Sequence, residues 1–144
     1  MFTSKVIYQG GLRTEARHER SGATLFTDAP PDNHGKGEGF SPTDLAATSL
    51  ATCMLTVMGI EAEQHQIALD GSEVSIQKFM GIAPRRIVKI EAVLQVRTNR
   101  KIDVEMKKRL EDIAINCPVA KSLDPAIVQD IRFEYLEDNA DQVI

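Results

Sequence analysis

SPTDLAATSLATCMLTVMGIEAEQ, residues 41–64, is the stretch on which the fold turns. Ser41 has a hydroxyl that can accept an early backbone N–H, Pro42 suits the first helical position, and Asp44 favours the positive end of a helix. The spacing predicts a helix over residues 42–63. Leu45, Ala46, Ala47, Leu50, Ala51, Cys53, Met54, Leu55, Val57, Met58 and Ile60 wrap most of its circumference, so it must be covered on several sides. Its own sheet or a second copy of the chain can supply that cover. The run without charge between Asp44 and Glu61 is 16 residues long and contains Thr48, Ser49, Thr52 and Thr56. A bilayer span needs roughly 20 mostly apolar residues, so this is read as a buried helix of a soluble protein.

Upstream, residues 4–8 read as a strand, Gly10-Gly11 as a tight turn, 12–18 as the return and 23–27 as a third strand, an antiparallel meander. DAPPDNHGKGEGF, residues 28–40, then holds two Pro and three Gly in thirteen residues, the composition of a functional or disordered loop. Downstream, 74–80 and 87–98 read as strands of a hairpin joined near residues 81–84. Val88, Ile90, Ala92, Leu94 and Val96 share one face of the second strand and Lys89, Glu91 and Gln95 the other. Asp103 is a candidate N-cap for an amphipathic helix bearing Met106, Leu110, Ile113 and Ala114 and ending near Asn116. A short helix over 117–123, a stop at Asp124-Pro125, a closing strand over 127–135 and a loose end over 136–144 complete the reading, which has no internal repeat and one domain, 1–144.

The chain has 144 residues, 42% hydrophobic and 26% charged, which suits one shared core. Seventeen Lys and Arg against twenty-one Asp and Glu give a net charge of −4, so attraction to phosphate backbones or anionic lipid is not expected. The absence of Trp and an aromatic content of 5% remove the stacking platforms of single-strand binders. Two cysteines are too few for a disulfide scaffold, and no apolar signal core follows the N-terminal Lys5, so a reducing cytoplasm is expected.

Those cysteines are the candidate chemistry. Cys53 lies mid-helix among apolar residues, where burial alone would raise its pKa and leave it an inert small hydrophobe. Cys117, in Asn116-Cys117-Pro118 at a helix start, sits beside unpaired N–H groups that favour a thiolate. With 63 intervening residues their proximity is a hypothesis, since a disulfide needs Cα atoms within about 7 Å. His18, His34 and His65 lack paired ligand spacing, so no metal site is expected. A GxSxG elbow is absent and a hydrolase triad is not supported.

YQGGLRTEA, DAPPDNHGKGEGFSPTDL, SLATCMLTVMGIEA and NCPVAKSL together resemble the OsmC/Ohr family, osmotically inducible protein C and the organic hydroperoxide resistance proteins, over nearly the whole chain. The GKGE loop and SPTDL helix start look most like the general OsmC-like branch. The resemblance implies an α+β fold, antiparallel sheets wrapped around two long central helices in an intertwined homodimer, with active sites at the subunit interface. It implies a thiol-dependent peroxidase acting on organic hydroperoxides in oxidative stress defence, with Cys53 peroxidatic and Cys117 resolving as a Cys53–Cys117 disulfide. An external dithiol, such as a lipoylated protein or thioredoxin, would restore the enzyme, with no bound cofactor.

The thiolate needs a cation to lower its pKa in apolar surroundings. Arg13 falls where the family's catalytic arginine lies, with Arg17 and Arg20 as competitors if the register slips. The peroxidase branches place a Glu ten residues before the first cysteine, and here that place is Thr43. Asp44 is one residue off, about 100° around the helix, and reads better as a capping charge. Glu38, in a flexible GKGEGF loop, is the candidate replacement carboxylate. Phe40, Met54 and Met58 are candidate liners for the alkyl part of a substrate, the methionines serving equally well as core. Two alternatives stand beside the peroxidase: a weakly catalytic or non-catalytic protein binding a small apolar ligand at the dimer interface, and a structural dimer with two incidental cysteines.

Overall fold

A computed structural model describes residues 1–137 of the chain. The chain divides into two compact units, Met1–Ala46 and Ala47–Ile144.

The first unit is a three-stranded antiparallel sheet in the order β1 (Ser4–Gly10), β2 (Arg13–His18), β3 (Thr24–Asp28). The β1–β2 turn is Gly11-Leu12, one residue later than the expected Gly10-Gly11, with φ of 61° and 64°; this is the left-handed region that glycine enters without a Cβ penalty and that Leu12 here also adopts. The β2–β3 register sets Arg13 opposite Asp28 and Arg17 opposite Thr24. The long loop that follows contains a 3₁₀ turn at Pro31–Asn33 and folds back on its own start, with Gly35 N–H donating to the Pro30 carbonyl at 2.9 Å and Gly37 N–H to the Ala29 carbonyl at 3.3 Å. Its glycines are steric necessities: a Cβ on Gly39 would stand 2.5 Å from the Phe26 ring, and one on Gly35 would overlap the Ala29 carbonyl.

Helix α1 (Pro42–Gln64) begins with a reciprocal cap. The Ser41 hydroxyl accepts the Asp44 N–H at 3.1 Å and the Asp44 carboxylate accepts the Ser41 N–H at 3.0 Å. By length and mean hydropathy, 1.5, α1 could cross a bilayer. Instead Ala47, Leu50, Met54, Met58 and Ala62 form a buried stripe at helical spacing in the second unit's core, and Ala51 is buried as well. Thr52, Thr56 and Ile60 lie on the exposed side, so this chain covers one flank and leaves the other open.

The second unit pairs β4 (Glu73–Gly81) antiparallel with β5 (Arg86–Thr98), and β6 (Val128–Glu137) parallel with β5. Ile90, Ala92, Leu94 and Val96 of β5 are buried against α1, as the alternation predicts. The parallel β6 departs from the antiparallel sheets of the expectation: α2 (Val104–Ile115) and α3 (Pro118–Ser122) fill the connection, and a helical crossover is what a parallel return requires. Asp103 caps α2 by accepting the Met106 N–H at 2.8 Å, and Leu110 and Ala114 close the core. Two sheets with helices make the fold α+β. Of the loose end expected at 136–144, Leu136 and Glu137 belong to β6 and residues 138–144 lie outside the described residues.

Candidate active site

Each unit carries a cluster of candidate chemistry. In the second, Cys53 of α1 is half-buried and packs against the core, while Cys117, 1% exposed, belongs to it. Both are free thiols, and they are near enough that the Cys53 thiol perturbs the Cys117 thiol directly. Asn116 ends α2 and Cys117 itself is the N-cap of α3, with Pro118 at the first helical position. The buried core thus holds the two sulfurs together across those 63 intervening residues.

The Cys117 thiol is pushed up from its ordinary pKa, first by burial and then by Cys53. The amides of Ala120 and Val119 at the start of α3 pull it down, which is the effect expected from the helix start. Burial outweighs them, so Cys117 is a neutral thiol near pH 7, contrary to the thiolate that its local sequence suggested.

In the first unit Arg13 meets two carboxylates. Its Nε donates to Asp28 Oδ1 at 2.7 Å and its Nη2 to Asp28 Oδ2 at 2.8 Å, a planar two-point fork. Nη2 also donates to Glu38 Oε2 at 2.9 Å. The guanidinium lies over the Phe26 ring, 4.6 Å from its centroid. Glu38 therefore does reach Arg13 from its loop. Asp28 was missed by the sequence reading, where it counted only as the first residue of that loop. The signal that would have found it is the hairpin register: extending the third strand by one residue sets Asp28 directly across from Arg13.

The Asp28 side chain is only 2% exposed, and its oxygens also accept the Glu38 backbone N–H at 3.0 Å. Arg13 holds the Asp28 carboxyl below the usual carboxylate range against the opposing effect of burial. Asp28 first, then Glu38, raise the guanidinium above its ordinary value, so Arg13 is a permanent cation.

Among the other expected residues, Phe40 is exposed and its carbonyl accepts the Asp28 N–H at 3.1 Å. Met54 and Met58 have no exposed surface and belong to the core of the second unit. Thr43 opens α1 beside Ser41, with Ser41 Oγ and Thr43 Oγ1 3.3 Å apart. Arg17 pairs with Thr24 and Lys5 in the sheet register and Arg20 lies in the following turn. His18 Nδ1 is 2.6 Å from Ser21 Oγ and His65 Nε2 3.1 Å from Glu61 Oε1, and no group of three or more metal-ligating side chains converges among the described residues.

Residues 35–132 match the family model for OsmC-like proteins. A crystal structure from Psychrobacter arcticus 273-4, provisionally named an osmotic stress induced and detoxification response protein, is 46% identical. It superposes with a TM-score of 0.88 over 93% of this chain and 96% of that one. An organic hydroperoxide resistance protein from Legionella pneumophila, 16% identical, shares the fold with a TM-score of 0.67 over 93% of this chain and 98% of its own. The organic hydroperoxide resistance protein of Bacillus subtilis, 23% identical, does so with a TM-score of 0.61 over 92% and 98%. No curated protein matches the chain significantly. The chain belongs to the OsmC family.

Proposed function

We propose that this OsmC-family protein is a cysteine-based peroxidase that reduces organic hydroperoxides in oxidative stress defence, working as a cytoplasmic homodimer. The observation that carries the reading is the pair of free thiols in mutual range, one half-exposed and one buried. Such a pair can take an oxidant at the accessible sulfur and close a disulfide at the other.

In the first step the Cys53 thiolate attacks the terminal oxygen of the hydroperoxide. An S–O bond forms, the O–O bond breaks, and the alkoxide leaves as an alcohol after taking a proton, which leaves Cys53 as a sulfenic acid. Arg13, a permanent cation, is assigned the role of the positive charge that the departing oxygen needs. Its Nη1 makes no hydrogen bond to the described residues, so these donors are free for a sulfur or oxygen anion while Asp28 and Glu38 occupy the other edge.

In the second step Cys117 attacks the Cys53 sulfur. The S–S bond forms, the S–O bond breaks, and the proton held on the neutral Cys117 thiol leaves with the hydroxide as water. An external dithiol then reduces the disulfide and is itself oxidised, a role suited to a lipoylated protein or thioredoxin. The ligand-binding alternative rested on the absence of a carboxylate at Thr43. With Arg13 already paired to two carboxylates, nothing favours that reading.

The test is titration of purified protein with cumene hydroperoxide while thiols are counted. One equivalent of peroxide should remove both thiols and yield a product two hydrogens lighter. Cys53→Ser should consume no peroxide, and Cys117→Ser should react once and stall at the sulfenic acid. Retention of both thiols with no peroxide consumed would overturn the reading.

A further inference from the structure

The two carboxylates on Arg13 are not equivalent. Asp28 is 2% exposed and sits across the β2–β3 ladder from Arg13, so its backbone position is set by strand pairing. It engages Nε and Nη2 at 2.7 and 2.8 Å, and two parallel contacts fix the plane of a guanidinium as well as its position. The Glu38 N–H at 3.0 Å fills a further lone pair, and Phe26 of β3 lies against the guanidinium face at 4.6 Å. Glu38 makes one contact at 2.9 Å from a side chain that is 61% exposed. Exposed single-point ion pairs hold little geometry because both side chains keep much of their freedom. Thr43, at the start of α1, brings no charge.

We propose that Asp28 is the positioning residue of the peroxidatic site: it orients the Arg13 guanidinium through the buried two-point fork, and Glu38 is an exchangeable second partner. Asp28 also ties the 29–40 loop to the sheet through the Glu38 amide, so one carboxylate sets both the cation and the loop that borders it. The inference rests on the peroxidase reading, in which the orientation of Arg13 governs attack by Cys53.

The experiment measures the second-order rate constant for Cys53 oxidation by cumene hydroperoxide across pH in the full chain and its variants. In parallel, the Arg13 Nε–H resonance is followed by NMR. A misplaced catalytic group costs on the order of 10²-fold, and that is the expected loss in Asp28→Asn, with its pH profile moved to the alkaline side. Asp28→Glu should recover part of the rate. Glu38→Gln should change it by no more than about fivefold.

The Nε–H signal should stand apart in the wild type, persist in Glu38→Gln and collapse into the exposed arginine envelope in Asp28→Asn. A loss in Glu38→Gln equal to or larger than that in Asp28→Asn overturns the assignment, as does an Nε–H signal untouched by Asp28→Asn. Should Asp28→Asn not fold, the wild-type resonance and the Asp28→Glu rate decide. A wild type inert to hydroperoxide means that the peroxidase reading has failed, and the fork is then judged by the resonance alone.

Discussion

Cys117 shows how a tertiary effect reverses a local one. Its neighbours Val119 and Ala120 offer amides that favour a thiolate, but the side chain is 1% exposed and desolvation wins. Nothing in Asn116-Cys117-Pro118 announces that burial, because it comes from packing among distant residues. A thiol whose pKa is raised on folding contributes stability that is full below the unfolded pKa, about 8.5. That contribution is lost as pH rises through the folded value. The thermal midpoint should therefore fall as pH is raised above about 8.5, and Cys117→Ala should flatten that fall. Iodoacetamide at pH 7 should label the half-exposed Cys53 ahead of Cys117. Cys53→Ala should not make Cys117 reactive, because burial is the larger cause of its shift and Cys53 the smaller. Rapid labelling of Cys117 in that variant would show that the shift depends on the sulfur pair and not on the core.

At the scale of elements, what was legible in the sequence was what short-range chemistry dictates. The Ser41–Asp44 cap and the Asp103 cap were readable because a cap involves residues three apart. Ser41→Ala removes a buried cap hydroxyl and should lower stability by about 1 kcal/mol (range 0.5–2), measured by urea unfolding. A change below the noise of the fit would mean that the Asp44 half of the cap suffices. The direction of β6 was not readable, since alternation of Ile131, Phe133 and Tyr135 is the same for a parallel and an antiparallel strand. Nor was the order of the 28–40 loop, which its Gly and Pro content made look flexible. Gly39→Ala tests that order: a Cβ 2.5 Å from the Phe26 ring must displace the ring that underlies Arg13. The expected cost is on the order of 1–3 kcal/mol, together with a weaker peroxidase. Full stability and rate in Gly39→Ala would show that the ring moves freely and takes no part in holding the cation.

For the whole molecule, each unit leaves apolar surface that one chain does not cover. In the first unit every residue of β1 is exposed, and Val6, Ile7 and Tyr8 are 62%, 65% and 64% accessible. Neighbouring residues of a strand point to opposite faces, so both faces of this sheet are open there. A three-stranded sheet needs an apolar layer against it to be stable. In the second unit the outer stripe of α1 is built from Thr52, Thr56, Gly59 and Ile60, with no atom within 4 Å of a Cβ on Gly59. The Thr52 and Thr56 hydroxyls already donate to the Ser49 and Thr52 carbonyls at 2.9 and 2.7 Å, so that stripe can be buried without stranding a donor. The all-round apolar character of residues 45–60 was the sequence sign of this, although which flank stays open was settled only by packing. The proposed second copy would cover both surfaces, and a stable interface removes about 800 Å² per partner. Light scattering on the purified protein should give twice the 15.9 kDa chain mass. Thr56→Arg places a long cation in the middle of the open stripe without disturbing the buried one. It should yield monomer, with peroxide consumption falling along with the dimer fraction. A wild type that is monomeric at micromolar concentration yet consumes hydroperoxide would show that one chain completes the site alone.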